Sequence, residues 1–163
     1  MDVGQSINPA LDIGQIEGAY LQGYGWATME ELIWGDEQHP WVRPAGGLFT
    51  KGPGTYKIPS FNDVPADFRV SLLDKSNNRA VHSSKGIGEP PFFLASSAFF
   101  AIRNAIKASR EETNETTANG GDYFLMNLPV TSERIRMACL DKISCQATAA
   151  AGADGHFQPK GSW

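Results

Sequence analysis

Residues 84–110 read SKGIGEPPFFLASSAFFAIRNAIKASR, and the punctuation of this stretch organises the rest of the chain. Pro90 and Pro91 fix φ near the helical value and lack N–H donors, so they suit the first turn of a helix, where those donors have no partner. The apolar run behind them predicts a long helix over residues 90–110, apolar nearly all round through its middle and therefore buried. Glu89 precedes a proline, which pushes it toward extended backbone at the helix mouth. There the helix dipole favours its charged form, and burial against Phe92 and Phe93 opposes it. Gly86 and Gly88 permit positive φ or a close backbone approach. A partly desolvated carboxylate on a rigid mount suits a general base, and the same pattern equally fits a helix-capping acid beside a glycine turn.

Upstream, Asn8-Pro9 fits a turn or a helix start, and Ile13, Ile16, Tyr20, Tyr24 and Ala27 follow helical spacing across residues 10–32. At about 100° per residue, Gln15 and Gln22 fall within roughly 20° of each other, with Gly18 between them and Ile16, Tyr20 and Ala27 on the other side. One face is therefore core, and the other shows amides beside backbone bared by glycine. Such a face can hydrogen-bond a large polar ligand or can be a solvated surface over small-residue packing.

Outside these segments the pattern alternates in type without internal repeats. Residues 1–4, 57–58, 68–73, 80–83 and 124–127 are strand candidates, the third with Phe68, Val70 and Leu72 in alternation. Residues 35–47, 74–79 and 111–122 read as loops, and residues 132–140 as a short helix. The fold class is α+β, with mixed helices and short strands.

Composition narrows the function classes. A chain of 163 residues with 41% hydrophobic and 20% charged residues is long enough for a real core. Its net charge of −4 argues against a general nucleic-acid binder. Two cysteines, Cys139 and Cys145, make no disulfide framework or C-x-x-C metal pair, which points to a reducing compartment. The first residues lack the pattern of a signal peptide, and the most apolar stretch, residues 90–102, is too short to span a bilayer, so a soluble chain is expected. Gly86-x-Gly88 and Gly23-x-Gly25 are fragments of a dinucleotide fingerprint without the βαβ context it requires. His39, His82 and His156 are too scattered for a metal motif, and Ser6, Ser83 and Ser84 sit in no nucleophile elbow.

Four blocks in order, DVGQSINPALDIGQIEGAYLQGYG (2–25), GPGTYKIPSF (52–61), PADFRVSLL (65–73) and SSKGIGEPPFFLASSAFFAIRNAI (83–106), resemble the C-terminal region of the xanthine dehydrogenase and aldehyde oxidase family of molybdenum hydroxylases. The resemblance runs over residues 2–142, and residues 52–57 resemble the xanthine branch more than the aldehyde branch. It implies that residues 1–145 are the C-terminal portion of a molybdopterin-binding domain and that 146–163 form a tail. It implies a molybdenum–molybdopterin cofactor here, and iron–sulfur clusters, FAD and NAD in the parent enzyme, whose upstream domains this chain lacks. The implied reaction is water-derived hydroxylation of hypoxanthine- or xanthine-type purines with hydride transfer to the molybdenum centre. Carried over by motif, Glu89 is the base, while Gln15 and Gly88 lie against the cofactor; no side chain ligates the metal. The implied partners are a purine or aldehyde substrate and the missing domains of a homodimeric enzyme in the cytoplasm or peroxisome, with no nucleic acid or membrane. Alternatives are an aldehyde oxidase fragment and a non-catalytic interaction domain that keeps the fold. The stretch 36–47 is longer than the family's usual loop.

Overall fold

A computed structural model describes residues 1–74, 85–113 and 123–150. Helix α1 spans Pro9–Thr28, α2 Pro90–Leu94, α3 Ser96–Glu112, α4 Ser132–Ala138 and α5 Lys142–Ala150, with a 3-10 turn at Phe61–Asp63.

Asn8 and Pro9 start α1. The Asn8 side chain accepts from the Leu11 N–H at 3.4 Å, Pro9 takes the first turn, and Asp12 places a negative charge near the N-terminus. The helix stops at Thr28, whose hydroxyl bonds back to the Tyr24 carbonyl at 2.7 Å, and the Met29 and Glu30 N–H groups both turn back to Gly25 O. Ile16, Ala19 and Ala27 are buried while Gln15, Gly18 and Gln22 are exposed, so the two-faced reading of this helix holds.

The long helix expected over 90–110 is broken at Ala95. Two consecutive prolines supply no donors, so the first turn closes only through Phe92 N–H to Glu89 O. Ala95 N–H then reaches back three residues to Phe92 O, and Ala98 N–H to Ala95 O, a tight step between α2 and α3. Nor is the segment buried all round. Pro91, Ala95 and Ile106 are enclosed, but Phe93 is 80% exposed and Phe100 57%.

Close approach of α1 to α2 forms the centre of the fold. A Cβ added at Gly23 would stand 2.1 Å from Phe92 O and 2.8 Å from Ala95 Cβ, so the two helices meet backbone to backbone there. Trp26 lies against Phe92 with ring centroids 5.6 Å apart, a pair of the kind that adds about 0.5–1.5 kcal/mol beyond its buried area. Two residues on, Gly25 leaves room for Pro59, whose ring a Cβ would meet at 2.4 Å. Val130 N–H donates to Ala27 O at 2.8 Å and brings the last segment under α1. Arg134 extends that seam, donating to Pro129 O at 2.7 Å and pairing with Glu31. At the far end of α3, Arg110 donates to Ala138 O at 2.6 Å and lies 4.0 Å over the Phe124 ring.

The expected strands at residues 1–4, 57–58, 68–73 and 124–127 form no ladders among the described residues. A bridge between Trp34 and Leu48 closes the loop after α1, with Gly35 N–H to Gly47 O at 2.9 Å behind it. The inside-outside alternation is nonetheless real: Phe68, Val70, Leu72, Phe124 and Met126 are half-buried, and the residues between them exposed. Among the described residues the backbone of segment 68–73 bonds to Met1 alone, with Leu73 N–H donating to Met1 O and the Met1 amino group donating to Ser71 O, both at 2.8 Å, so the alternation stands there as extended chain without a ladder. The strand expected at 80–83 and most of the turn at 74–79 lie outside the described residues. Helix α5 runs across residue 145, where the tail was expected to begin.

Gly23→Ala is expected to destabilise the chain by about 1–3 kcal/mol, since its methyl would strike backbone rather than a movable side chain. Gly14→Ala, where no atom lies within 4 Å of the added Cβ, should instead be neutral or stabilising by up to about 1 kcal/mol. Urea denaturation of the two variants checks the contrast.

Candidate functional site

The exposed half of α1 and the loop leading into α2 converge at one point. Gln15 projects from α1 so that its Oε1 stands 3.2 Å from where a Cβ on Gly88 would lie. Any side chain at position 88 would press on that amide, so the glycine keeps backbone and amide in contact. Gly14 and Gly18 flank Gln15 with open space where side chains would be, and Gln22 is exposed two turns along. The two segments singled out from sequence therefore meet.

Glu89 follows Gly88 directly but differs from its expected state in three respects. Its backbone is helical, φ −87° and ψ −38°, rather than extended, because its carbonyl closes the first turn of α2 onto Phe92 N–H. The preference against helical backbone before proline is outweighed by that closure. Its side chain makes no capping hydrogen bond, so the capping alternative does not hold. It is exposed rather than buried against Phe92 and Phe93; Phe92 turns to Trp26 and Phe93 to solvent. A five-residue α2 also offers less dipole than the long helix first expected.

One contributor was missed in the sequence. Lys85, three residues before Gly88, pairs with Asp2, and the other Asp2 oxygen accepts from Gly4 N–H at 3.0 Å. The hydrogen bond from Lys85, then that from Gly4, holds the Asp2 carboxyl below the ordinary carboxylate range. Only charge sign and proximity to the two motifs hinted at it, since 83 residues separate the partners.

The block GPGTYKIPSF lies elsewhere. Tyr56 donates its phenol to Glu30 just past α1, with Pro59 against Gly25, so the block braces the C-terminal end of α1 and stays away from Gln15. Among the described residues no three His, Cys, Asp or Glu side chains converge on a metal position, and no helix is long and apolar enough to cross a membrane.

Comparison with known proteins bears on this site. Residues 1–65, which include Gln15, match the family model of a molybdopterin cofactor-binding domain. Over 145 residues the chain is 58% identical to xanthine dehydrogenase 1 of Arabidopsis thaliana, covering 88% of this chain and 10% of that protein. It is 52% identical to xanthine dehydrogenase/oxidase of Mus musculus with the same two coverages. The crystal structure of quinoline 2-oxidoreductase from Pseudomonas putida 86 is similar with a TM-score of 0.63 at 29% identity, covering 85% of this chain and 15% of that one. The chain thus spans about a tenth of the length of the curated relatives it matches.

The Tyr56–Glu30 brace sets a pH response. The hydrogen bond to Glu30, then burial, raises the Tyr56 phenol above its usual value of 10.0. Its stabilisation is therefore complete below about pH 10 and lost as pH rises through the folded pKa. Absorbance titration should show one tyrosine ionising later than the rest, and Tyr56→Phe should remove that late phase.

Proposed function

The chain belongs to the xanthine dehydrogenase and aldehyde oxidase family of molybdenum hydroxylases, and from that premise we propose that it forms part of the molybdopterin site of an enzyme oxidising hypoxanthine- or xanthine-type purines. The observation that carries this reading is the contact of Gln15 with Gly88, with Glu89 next in the chain.

The residues fit such a group. Gln15 offers an amide that can both donate and accept, Gly88 offers bare backbone beside it, and Gly14 and Gly18 leave room for a broad planar ligand. When bound, the molybdenum–molybdopterin group supplies Lewis acidity, a water-derived oxygen nucleophile and a two-electron acceptor.

Glu89 is then the general base. Its carboxylate has no capping bond to break before it accepts a proton from the attacking oxygen, and its backbone is held by the first turn of α2. Gln15 orients the pterin, and Gly88 keeps backbone, not side chain, beside the reacting centre. A purine is the favoured substrate class because the relatives at 52–58% identity carry the name xanthine dehydrogenase, and because residues 52–57 resemble that branch. Cys139 and Cys145 are free thiols, which supports placing the enzyme in a reducing compartment such as the cytoplasm. Iron–sulfur, FAD and NAD chemistry belongs, on this reading, to other parts of the enzyme.

In the enzyme carrying this chain, Glu89→Gln should lower turnover by at least ~10²–10⁴-fold with molybdenum content unchanged by metal analysis. Activity close to the unaltered enzyme would falsify the base assignment. Gln15→Ala should do the opposite, lowering molybdenum and pterin content more than it lowers turnover per molybdenum.

A further inference from the structure

We propose that the Asp2–Lys85 ion pair is a positioning device that sets the approach of Gly88 to Gln15, and through it the placement of Glu89; this rests on the reading just given. Among the described residues the tight backbone packing between the two segments of the site lies at one end of α1. Gly23 packs on Phe92 and Ala95, but Gly23 lies eight residues beyond Gln15, about 12 Å along the helix. A contact that far away does not by itself fix the loop at 85–89 against Gln15.

Asp2 closes the other end. One carboxylate oxygen takes the Gly4 N–H and so fixes the turn, with Gly4 at φ +75°, that leads into α1. The neighbouring Val3 is buried, and Ser6 bonds to Asp12 in the first turn, which ties this lead-in to the helix that bears Gln15. The other oxygen takes Lys85, three residues from Gly88. Both side chains are about three-quarters shielded, 27% exposed for Asp2 and 28% for Lys85, so solvent screens the pair less than it would on an open surface. The arrangement is a closed circuit: Asp2, α1, Gln15, Gly88, Lys85 and back to Asp2. One carboxylate thereby holds both lead-ins at once.

Hydrogen–deuterium exchange on the chain tests this. Asp2→Asn keeps an oxygen for Gly4 N–H and removes only the charge, and Lys85→Met keeps the stem and removes the cation. Each should speed exchange at residues 87–89 about two- to fivefold, the range expected for loss of a partly shielded pair, with residues 19–27 of α1 unchanged. The double variant should be no faster than Lys85→Met alone, and Lys85→Arg should restore the original rate. Unchanged exchange at 87–89 overturns the proposal, as does equal acceleration throughout α1, which would mark a general contribution to folding. Because the exchange is read without cofactor, its outcome is independent of the Glu89→Gln activity test.

Discussion

Contact between Gly23 and the Phe92–Ala95 backbone is the constraint on which the described structure depends. Helix separation is set by the side chains at the crossing, and here one partner has none. The approach puts Trp26 against Phe92 and leaves the Ala27 carbonyl facing Val130. Gly25, half a turn away, accepts Pro59 by the same device. The C-terminal half of α1 is thus a hub that gathers three distant segments. Packing is concentrated there; among the described residues the face of the N-terminal half that carries Gly14, Gln15 and Gly18 stays exposed, and its glycines serve the opposite purpose. Gly14 and Gly18 open space, whereas Gly23 and Gly25 close it.

That division shows where the sequence was readable. Helical spacing located α1 and separated its amide face from its core face, because periodicity reports directly on which residues share a side. Alternation at 68–72 and 124–126 likewise reported which residues turn inward. It did not report whether a neighbouring strand exists, since pairing depends on other segments, and among the described residues these segments are extended chain without ladders. Periodicity also cannot tell a glycine that packs from one that bares: Gly18 and Gly23 look alike until their neighbours are known.

Glu89 illustrates a different limit. The rule that a residue before proline avoids helical backbone is a steric preference of modest size. It yielded to closure of the first turn of α2, where, with Pro90 and Pro91 lacking donors, Phe92 supplies the N–H that Glu89 O accepts. The break at Ala95 shortened the dipole on which the local argument for Glu89 relied. Family resemblance pointed to the residue by a separate route, through a motif whose backbone conformation local rules misread. The Asp2–Lys85 pair was out of reach of both routes, being a contact across 83 residues between a lead-in and a loop with no periodicity to betray it.

The exposure of Glu89 bears on how its basicity would be set. A general base works best with a pKa near the working pH, and carboxylates reach that range mainly through desolvation. Among the described residues Glu89 stands exposed, with Phe92 turned to Trp26 and Phe93 to solvent. On the proposed reading the chain therefore supplies the placement of the base, through α2, Gly88 and the contact with Gln15. On the same reading the rest of an enzyme would supply the surroundings of that base, since the chain covers 10% of the relative it matches. Placement and tuning are then separate contributions. On that reading, changes at Gly23 or Lys85 would disturb the placement of Glu89 and leave its exposure as it is.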